Sequence, residues 1–200
     1  MLIAVCGLKG SGKDTVGDYL VNTHGFIRLH FADTLKDIMS IMFGWRRDLL
    51  EGSTPESREF REQKDEWWSN KLEREVTPRI MLQQMGTELF RNHFHKDIWR
   101  LIIEKKINDH KGKHIVITDC RFQNEVEMVR LYGCKLIFVY RDLPDWFLPY
   151  KQYIGSVPEH IHTSEYDWIR NDFDCEINNN GTYDILYNKI EDFLRIKHKI

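Results

Sequence analysis

No run of apolar residues in this chain exceeds about six, where a membrane-spanning helix needs about 20. The mean hydropathy is −0.52, and that pattern excludes a transmembrane protein. A basic leader is also missing. The short N-terminal apolar run breaks at once into Gly-Leu-Lys-Gly-Ser-Gly, which predicts no signal peptide. Glycine and proline are scarce, 12 and 5 of 200 residues, so the chain is neither collagen-like nor of low complexity. There is no excess of positive charge: 29 Lys and Arg stand against 31 Asp and Glu, a net charge of −2. A general nucleic-acid binder usually carries a basic excess, so a polymer partner is not expected, although a local basic pocket for a small anion is not excluded. No Cys-x-x-Cys pair occurs either. Cys6, Cys120, Cys134 and Cys175 each lie in or beside an apolar, strand-like run. They read as buried thiols in a reducing cytoplasm rather than as zinc ligands. What remains is an ordinary globular balance, 42% hydrophobic and 30% charged. At this length a chain buries roughly 70% of its unfolded surface and needs no disulfide or structural metal.

Strand-like runs alternate with amphipathic helical stretches, the pattern of βα units around a mostly parallel sheet. Leu2 to Cys6 is a continuous apolar run that suits a strand buried on both faces. A helix is predicted from about Lys13 to Thr23, a strand over Phe26 to Phe31, and a helix from Asp33 to Phe43. Further helices are expected over Thr77 to Asn92 and Asp97 to Ile107. The strand His114–Thr118, helix Asn124–Tyr132 and strand Lys135–Tyr140 follow, then a short strand Cys175–Ile177 and a last helix Tyr183–Ile196. Between Trp45 and Glu75, 16 of 31 residues are charged, with signs mixed. Ser53-Thr54-Pro55-Glu56 marks a helix start there, with Ser53 as the expected N-cap and Glu56 completing a capping box. This stretch reads either as a solvated helix or as an Arg-rich cover over an anionic ligand. With no repeat and no linker, a single α/β domain with an inserted helical region at about 45–110 is expected.

The segment Gly7-Leu8-Lys9-Gly10-Ser11-Gly12-Lys13-Asp14-Thr15 follows a predicted strand and opens a predicted helix. Gly, four residues, then Gly-Lys is the Walker A spacing. Its glycines allow successive N–H groups to turn inward around a phosphate, and the helix N-terminus adds positive potential. Lys13 is placed to reach the β- and γ-phosphates. A hairpin turn, the competing reading, leaves Lys13 unexplained. Asp14 stands where Ser or Thr is usual, and Thr15 follows it. Thr15 is a candidate for Mg²⁺ or for the α-phosphate, and Mg²⁺ could instead be held by phosphates, water and Asp119. The expected nucleotide contacts are Gly7, Lys9, Gly10, Ser11, Gly12, Lys13, Asp14, Thr15 and Val16.

Ile115 to Arg121 is an apolar strand ending in Asp119-Cys120-Arg121. An Asp at a strand's C-terminal end suits a Walker B role, and that edge is where open α/β sheets bind ligands. Arg121 can meet phosphate with a bidentate fork. A surface Asp-Arg pair capping the next helix is the competing reading. Arg141 ends the next strand in the same way, and Arg79 stands at a helix start after Thr77-Pro78, with Gln83, Gln84, Thr87 and Glu88 behind it. Phosphoryl transfer between nucleotides concentrates negative charge, and positioned Arg groups neutralise it.

In these residues the chain resembles the bacteriophage deoxynucleoside monophosphate kinases, a family of P-loop nucleotide kinases. The resemblance is carried by GLKGSGKDT, by FADTLKDIM at 31–39, TPRIMLQQMGTELFRNHF at 77–94, ITDCRFQNE at 117–125, His162-Thr163-Ser164-Glu165, and INNNGTYDIL at 177–186. It implies a three-layer α/β/α P-loop kinase fold, with a lid-like segment at about 142–165. It also implies transfer of the ATP γ-phosphate to a deoxynucleoside 5′-monophosphate with Mg²⁺. Lys13 and the loop then hold ATP, and Asn178 and Gly181 lie beside its base. Lys36, Arg79 and Arg121 take the acceptor phosphate, Gln84 and Glu165 lie near the acceptor nucleoside, and Arg141 neutralises the transferring group. Trp68 is a stacking candidate, with core packing as its competing reading. The same resemblance implies a cytoplasmic enzyme, in the host if phage-encoded, and is compatible with a homodimer. A kinase of another phosphorylated metabolite, of the phosphomevalonate or dephospho-coenzyme A type, is the alternative, and a nucleotide-binding module without turnover is a third.

Overall fold

The computed structural model describes residues 1–197. The chain forms two compact units, one made of Met1–His30 with the chain from Ile103 onward, the other of Phe31–Ile102.

The first unit is built on a five-stranded sheet in which every pairing is parallel, in the order β2-β3-β1-β4-β5. Its strands are β1 (Leu2–Cys6), β2 (Ile27–Leu29), β3 (Ile115–Ile117), β4 (Lys135–Tyr140) and β5 (Cys175–Asn178). A parallel strand must be covered on both faces, and the sequence supplies that cover. From β1, Ile3 and Val5 enter a core cluster with Val16 and Leu20 of α1 (Lys13–His24) and with Leu186, Ile190 and Phe193 of α9 (Tyr183–Lys197). Leu2, Ala4 and Cys6 point the opposite way and are buried as well. Burying one such aliphatic side chain contributes roughly 1.5–3 kcal/mol. Phe138 of β4 stacks on Phe147 of α8 (Phe147–Lys151) and is tilted against Trp168 and Phe173, so an aromatic cluster anchors the chain between β4 and β5. The helix α7 (Gln123–Leu131) follows β3 and buries Val126, Met128 and Val129.

Asp174 fixes the start of β4 against β5. Its Oδ2 accepts from the Leu136 N–H at 3.0 Å and from Arg130, and its Oδ1 lies 3.3 Å from Lys135 Nζ. Burial pushes this carboxyl up, but the Leu136 N–H, Arg130 and Lys135 outweigh it and hold its pKa below the usual value. A depressed carboxylate contributes stability that is present above its unfolded pKa and lost as pH falls through the folded one. Asp174→Asn is therefore expected to lower stability by about 1–2 kcal/mol at pH 7. The difference from wild type should shrink as the pH drops below about 4, a trend read from melting curves at several pH values.

The second unit is helical. It contains α2 (Asp33–Phe43), a 3₁₀ turn (Asp48–Leu50), α3 (Pro55–Glu62), α4 (Glu66–Leu72), α5 (Pro78–Gln83), a π-helix (Gln84–Phe94) and the first residues of α6 (Ile98–Asp109). Phe31, Leu35, Met39, Trp45, Leu50, Val76, Met81 and Trp99 are its buried hydrophobic side chains. The charged stretch is thus two short helices, not one. Asp65 makes the corner, because its carboxylate caps α4 through the Trp68 N–H and accepts from the Trp45 indole. The cap of α3 lies one residue later than expected: Thr54, not Ser53, accepts from the Ser57 N–H, and Ser57, not Glu56, reciprocates. The helix expected over Thr77–Asn92 changes its winding at Gln84, where the Gly86 carbonyl accepts from the Trp99 indole at 2.9 Å. No helix among the described residues is long and apolar enough to cross a membrane.

Candidate active site

The strand order reverses at β1, whose neighbours are β3 and β4. In an open α/β sheet the crevice at such a switch point, beyond the carboxyl ends of the strands, is where ligands bind. Residues 7–12 leave β1 at that edge and enter α1. Gly7 lies so tightly against β4 that a Cβ there would come within 2.3 Å of the Val139 carbonyl oxygen. Gly12 caps α1 with φ +101°, in the left-handed region that disfavours side chains. The N-cap offers no side chain to the first turn, so the helix end keeps free donors for an anion.

Lys13 curls over the loop, with Nζ 2.9 Å from the Gly7 oxygen and 2.8 Å from the Leu8 oxygen. Burial lowers its pKa, and the charge of Arg121 lowers it further, against the opposing pull of Asp14 and Glu165. Arg121 in turn lies 3.5 Å from Glu165. The structure therefore brings Lys13, Arg121 and Glu165 to one place, although they are far apart in sequence. The Arg121 and Phe122 N–H groups both donate to the Glu125 carboxylate, and the Gln123 N–H donates to Asp167. These two carboxylates fix the turn that carries Asp119 and Arg121. Neither stood out in the sequence, although Glu125, an acidic residue in the first turn of α7, is a recognisable capping signal.

The other residues expected in this unit are placed as follows. Lys9 and Arg141 are exposed, without an ion pair among the described residues. Asp14 is exposed, and its carboxylate accepts from the Thr118 hydroxyl at 3.3 Å. Thr15 and Asp119 are half-buried, and the Thr15 hydroxyl makes no hydrogen bond among the described residues. The Val16 N–H is bonded to the Gly12 oxygen and its side chain lies in the core, so it presents nothing to a nucleotide here. Asn178 accepts from the Asn180 N–H and from Lys189, and Gly181 lies over Ile185. It is the next residue, Asn179, that reaches the loop, donating from Nδ2 to the Ser11 oxygen at 2.9 Å.

In the second unit, Lys36 is paired with Glu51 at 2.6 Å, Arg79 with Glu62, and Gln84 accepts from Arg74 at 2.7 Å. No hydrogen bond or ion pair among the described residues joins Lys36, Arg79 and Gln84 to one another. Trp68 donates its indole N–H to the Phe43 carbonyl and packs edge-on to Phe43, which leaves that donor unavailable to a base. Two surface hollows, one lined by Lys64, Ser69, Asn70, Glu73, Arg74 and Glu75 and one along β5 and α9, contain none of these site residues. A phosphate loop binds through backbone N–H groups and needs no deep apolar cavity.

A parallel sheet with a glycine loop and lysine at its switch point, backed by an arginine at the neighbouring strand end, defines a P-loop kinase-type protein. A solved structure with this architecture, the dephospho-CoA kinase from Campylobacter jejuni, superposes with a TM-score of 0.50 over 98% of this chain and 96% of that one, at 14% identity. Residues 45–190 match the family model described as deoxynucleotide monophosphate kinase. A protein of Acanthamoeba polyphaga mimivirus, named as a candidate deoxynucleotide monophosphate kinase, is 32% identical over 95% of this chain and 94% of its own length. The deoxynucleotide monophosphate kinase of Escherichia phage RB69 is 24% identical over 97% of this chain and 99% of its own. The chain belongs to the deoxynucleotide monophosphate kinase family.

Proposed function

We propose that this kinase takes ATP with Mg²⁺ as donor and transfers the γ-phosphoryl to a deoxynucleoside 5′-monophosphate, giving a deoxynucleoside diphosphate and ADP. The observation that carries this reading is the glycine loop at the sheet's switch point with Lys13 folded onto the Gly7 and Leu8 oxygens, and with the Arg121–Glu165 pair near enough to act on the Lys13 charge. The loop suits a polyphosphate: Ser11 Oγ is buried without a hydrogen-bond partner among the described residues, and Lys13 Nζ has only carbonyl oxygens as partners. For Mg²⁺ the candidates are the Thr15 hydroxyl and Asp119, and no cluster of three or more His, Cys, Asp or Glu that could hold a metal occurs among the described residues. That suits an ion which keeps several waters and takes its remaining ligands from substrate phosphates. The bound nucleotide and ion supply the phosphoryl group and part of its charge neutralisation.

The residues of the chain supply alignment, charge and exclusion of water. Gly7, Gly10, Ser11, Gly12 and Lys13 hold the donor phosphates. Arg121 and Arg141 offset the charge of the transferring group. Lys36, Arg79 and Arg121 are the acceptor-phosphate candidates, with Gln84 and Glu165 for the acceptor nucleoside. The acceptor phosphate is already ionised and needs little general-base help, so no proton-abstracting residue is assigned. The partners are two small anionic nucleotides rather than a nucleic-acid polymer or a membrane. The test is a turnover screen with Mg·ATP across deoxynucleoside and ribonucleoside monophosphates, phosphomevalonate and dephospho-coenzyme A. Turnover of at least one deoxynucleoside monophosphate is expected, and turnover confined to the other metabolites would refute the assignment.

A further inference from the structure

We infer that Asn179 is a positioning residue of the phosphate loop: its side-chain amide sets the direction in which the loop presents its backbone donors. The proposal rests on the reading of residues 7–13 as a phosphate site. Asn179 is held at two points. Its backbone N–H donates to the carbonyl of Tyr140, the last residue of β4, at 2.7 Å. Its Nδ2 donates to the Ser11 oxygen at 2.9 Å, across 168 residues of sequence. The residue is 4% exposed, so water competes little for this bond.

Two features show that the loop is shaped around this side chain. A Cβ on Gly12 would fall 2.2 Å from Asn179 Nδ2. The missing side chain at Gly12 thus leaves the space that the amide occupies, in addition to permitting the positive φ. In a planar trans peptide, moreover, the C=O and the following N–H point in opposite directions. Drawing the Ser11 carbonyl toward Asn179 therefore turns the Gly12 N–H away from it. That N–H has no backbone partner among the described residues. Without the brace the Ser11–Gly12 peptide is free to rotate, and a glycine offers little resistance to that rotation. The loop would then pay an ordering cost each time it bound phosphate.

Asn179→Asp is nearly isosteric and replaces the donor by an acceptor facing the Ser11 oxygen, and Asn179→Ala removes the contact. Binding of ADP and of inorganic tripolyphosphate to wild type and both variants is measured by calorimetry, with melting curves alongside. Acceptor affinity is taken as KM for the monophosphate. Both variants are expected to weaken ADP and tripolyphosphate about 10- to 100-fold, the scale of losing one buried hydrogen bond, and to leave KM for the monophosphate within about twofold. Amide exchange at Ser11, whose N–H donates to the Leu8 oxygen at 3.2 Å, should quicken in the free variants, a readout that needs neither ligand nor turnover. Wild-type tripolyphosphate affinity in a folded Asn179→Asp protein would overturn the proposal. So would an equal loss for the monophosphate, which would mark a general structural role. If only the alanine variant folds, the same comparisons decide on it. A wild type that binds neither ADP nor tripolyphosphate overturns the phosphate-loop reading, and the brace with it.

Discussion

Lys13→Ala is expected to lower phosphoryl transfer by at least about 10²–10³-fold, the usual cost of removing one preorganised charge from a transfer site. The side chain already lies over the loop, with its amine on the Gly7 and Leu8 oxygens. Burial lowers its pKa from the ordinary lysine value of 10.5 and Arg121 adds to that. An amine that is partly desolvated and next to another cation is one that an anion stabilises strongly when it arrives. Removing it should weaken ATP as well as slow the chemistry, because the charge is needed in both states. Lys13→Met keeps most of the stem and separates loss of charge from loss of packing. Both variants should melt within a few degrees of wild type, because the amine's partners are two carbonyls at a solvent-facing edge. Coupled assays of ADP release give the rates. Near-wild-type turnover in either variant would refute the assignment of the loop.

Arg121→Ala should act differently. Arg121 lies in the turn between β3 and α7, half-exposed, with Glu165 at 3.5 Å and its backbone N–H fixed by Glu125. On the acceptor side, a guanidinium contributes chiefly as charge develops on the transferring group. Transfer is expected to fall about 10²–10³-fold while the Kd for ATP stays within a few-fold. Arg79→Ala should raise KM for the monophosphate more than it lowers kcat, because its proposed partner is the acceptor phosphate. If both arginine variants kept wild-type rates, the acceptor-site model would fail while the ATP site could stand.

Much of the first unit was legible because its strands are continuous apolar runs bounded by turn residues. The strand β4 is observed over Lys135–Tyr140, the limits its sequence suggests. The loop at residues 7–12 was legible as the turn from β1 into α1 for a different reason: its glycines allow backbone that other residues resist, as at Gly12 with φ +101°. Where expectations missed, a particular contact rather than local propensity decided. The winding of Gln84–Phe94 departs from 3.6 residues per turn where the Trp99 indole bonds the Gly86 carbonyl, and no local propensity encodes that bond. In Ser53-Thr54 either residue is a good cap, and only the three-residue spacing to Ser57 selects Thr54. Among Asn178, Asn179 and Asn180 composition cannot choose. Strand parity could have: Ile177 is in the core beside α1 and α9, and the residue two further on shares its face. The carboxylates that pair with Lys36 and Arg79 were not foreseeable, because mixed charges at short spacing allow many pairings of similar small energy.

The proposed reaction is tested most directly by following the label from γ-labelled ATP in the wild-type protein with Mg²⁺ and a panel of deoxynucleoside monophosphates. The expected result is label in the β-position of a deoxynucleoside diphosphate, dependent on the monophosphate and matched one-to-one by ADP. Label appearing only as inorganic phosphate, at a rate no monophosphate alters, would contradict it.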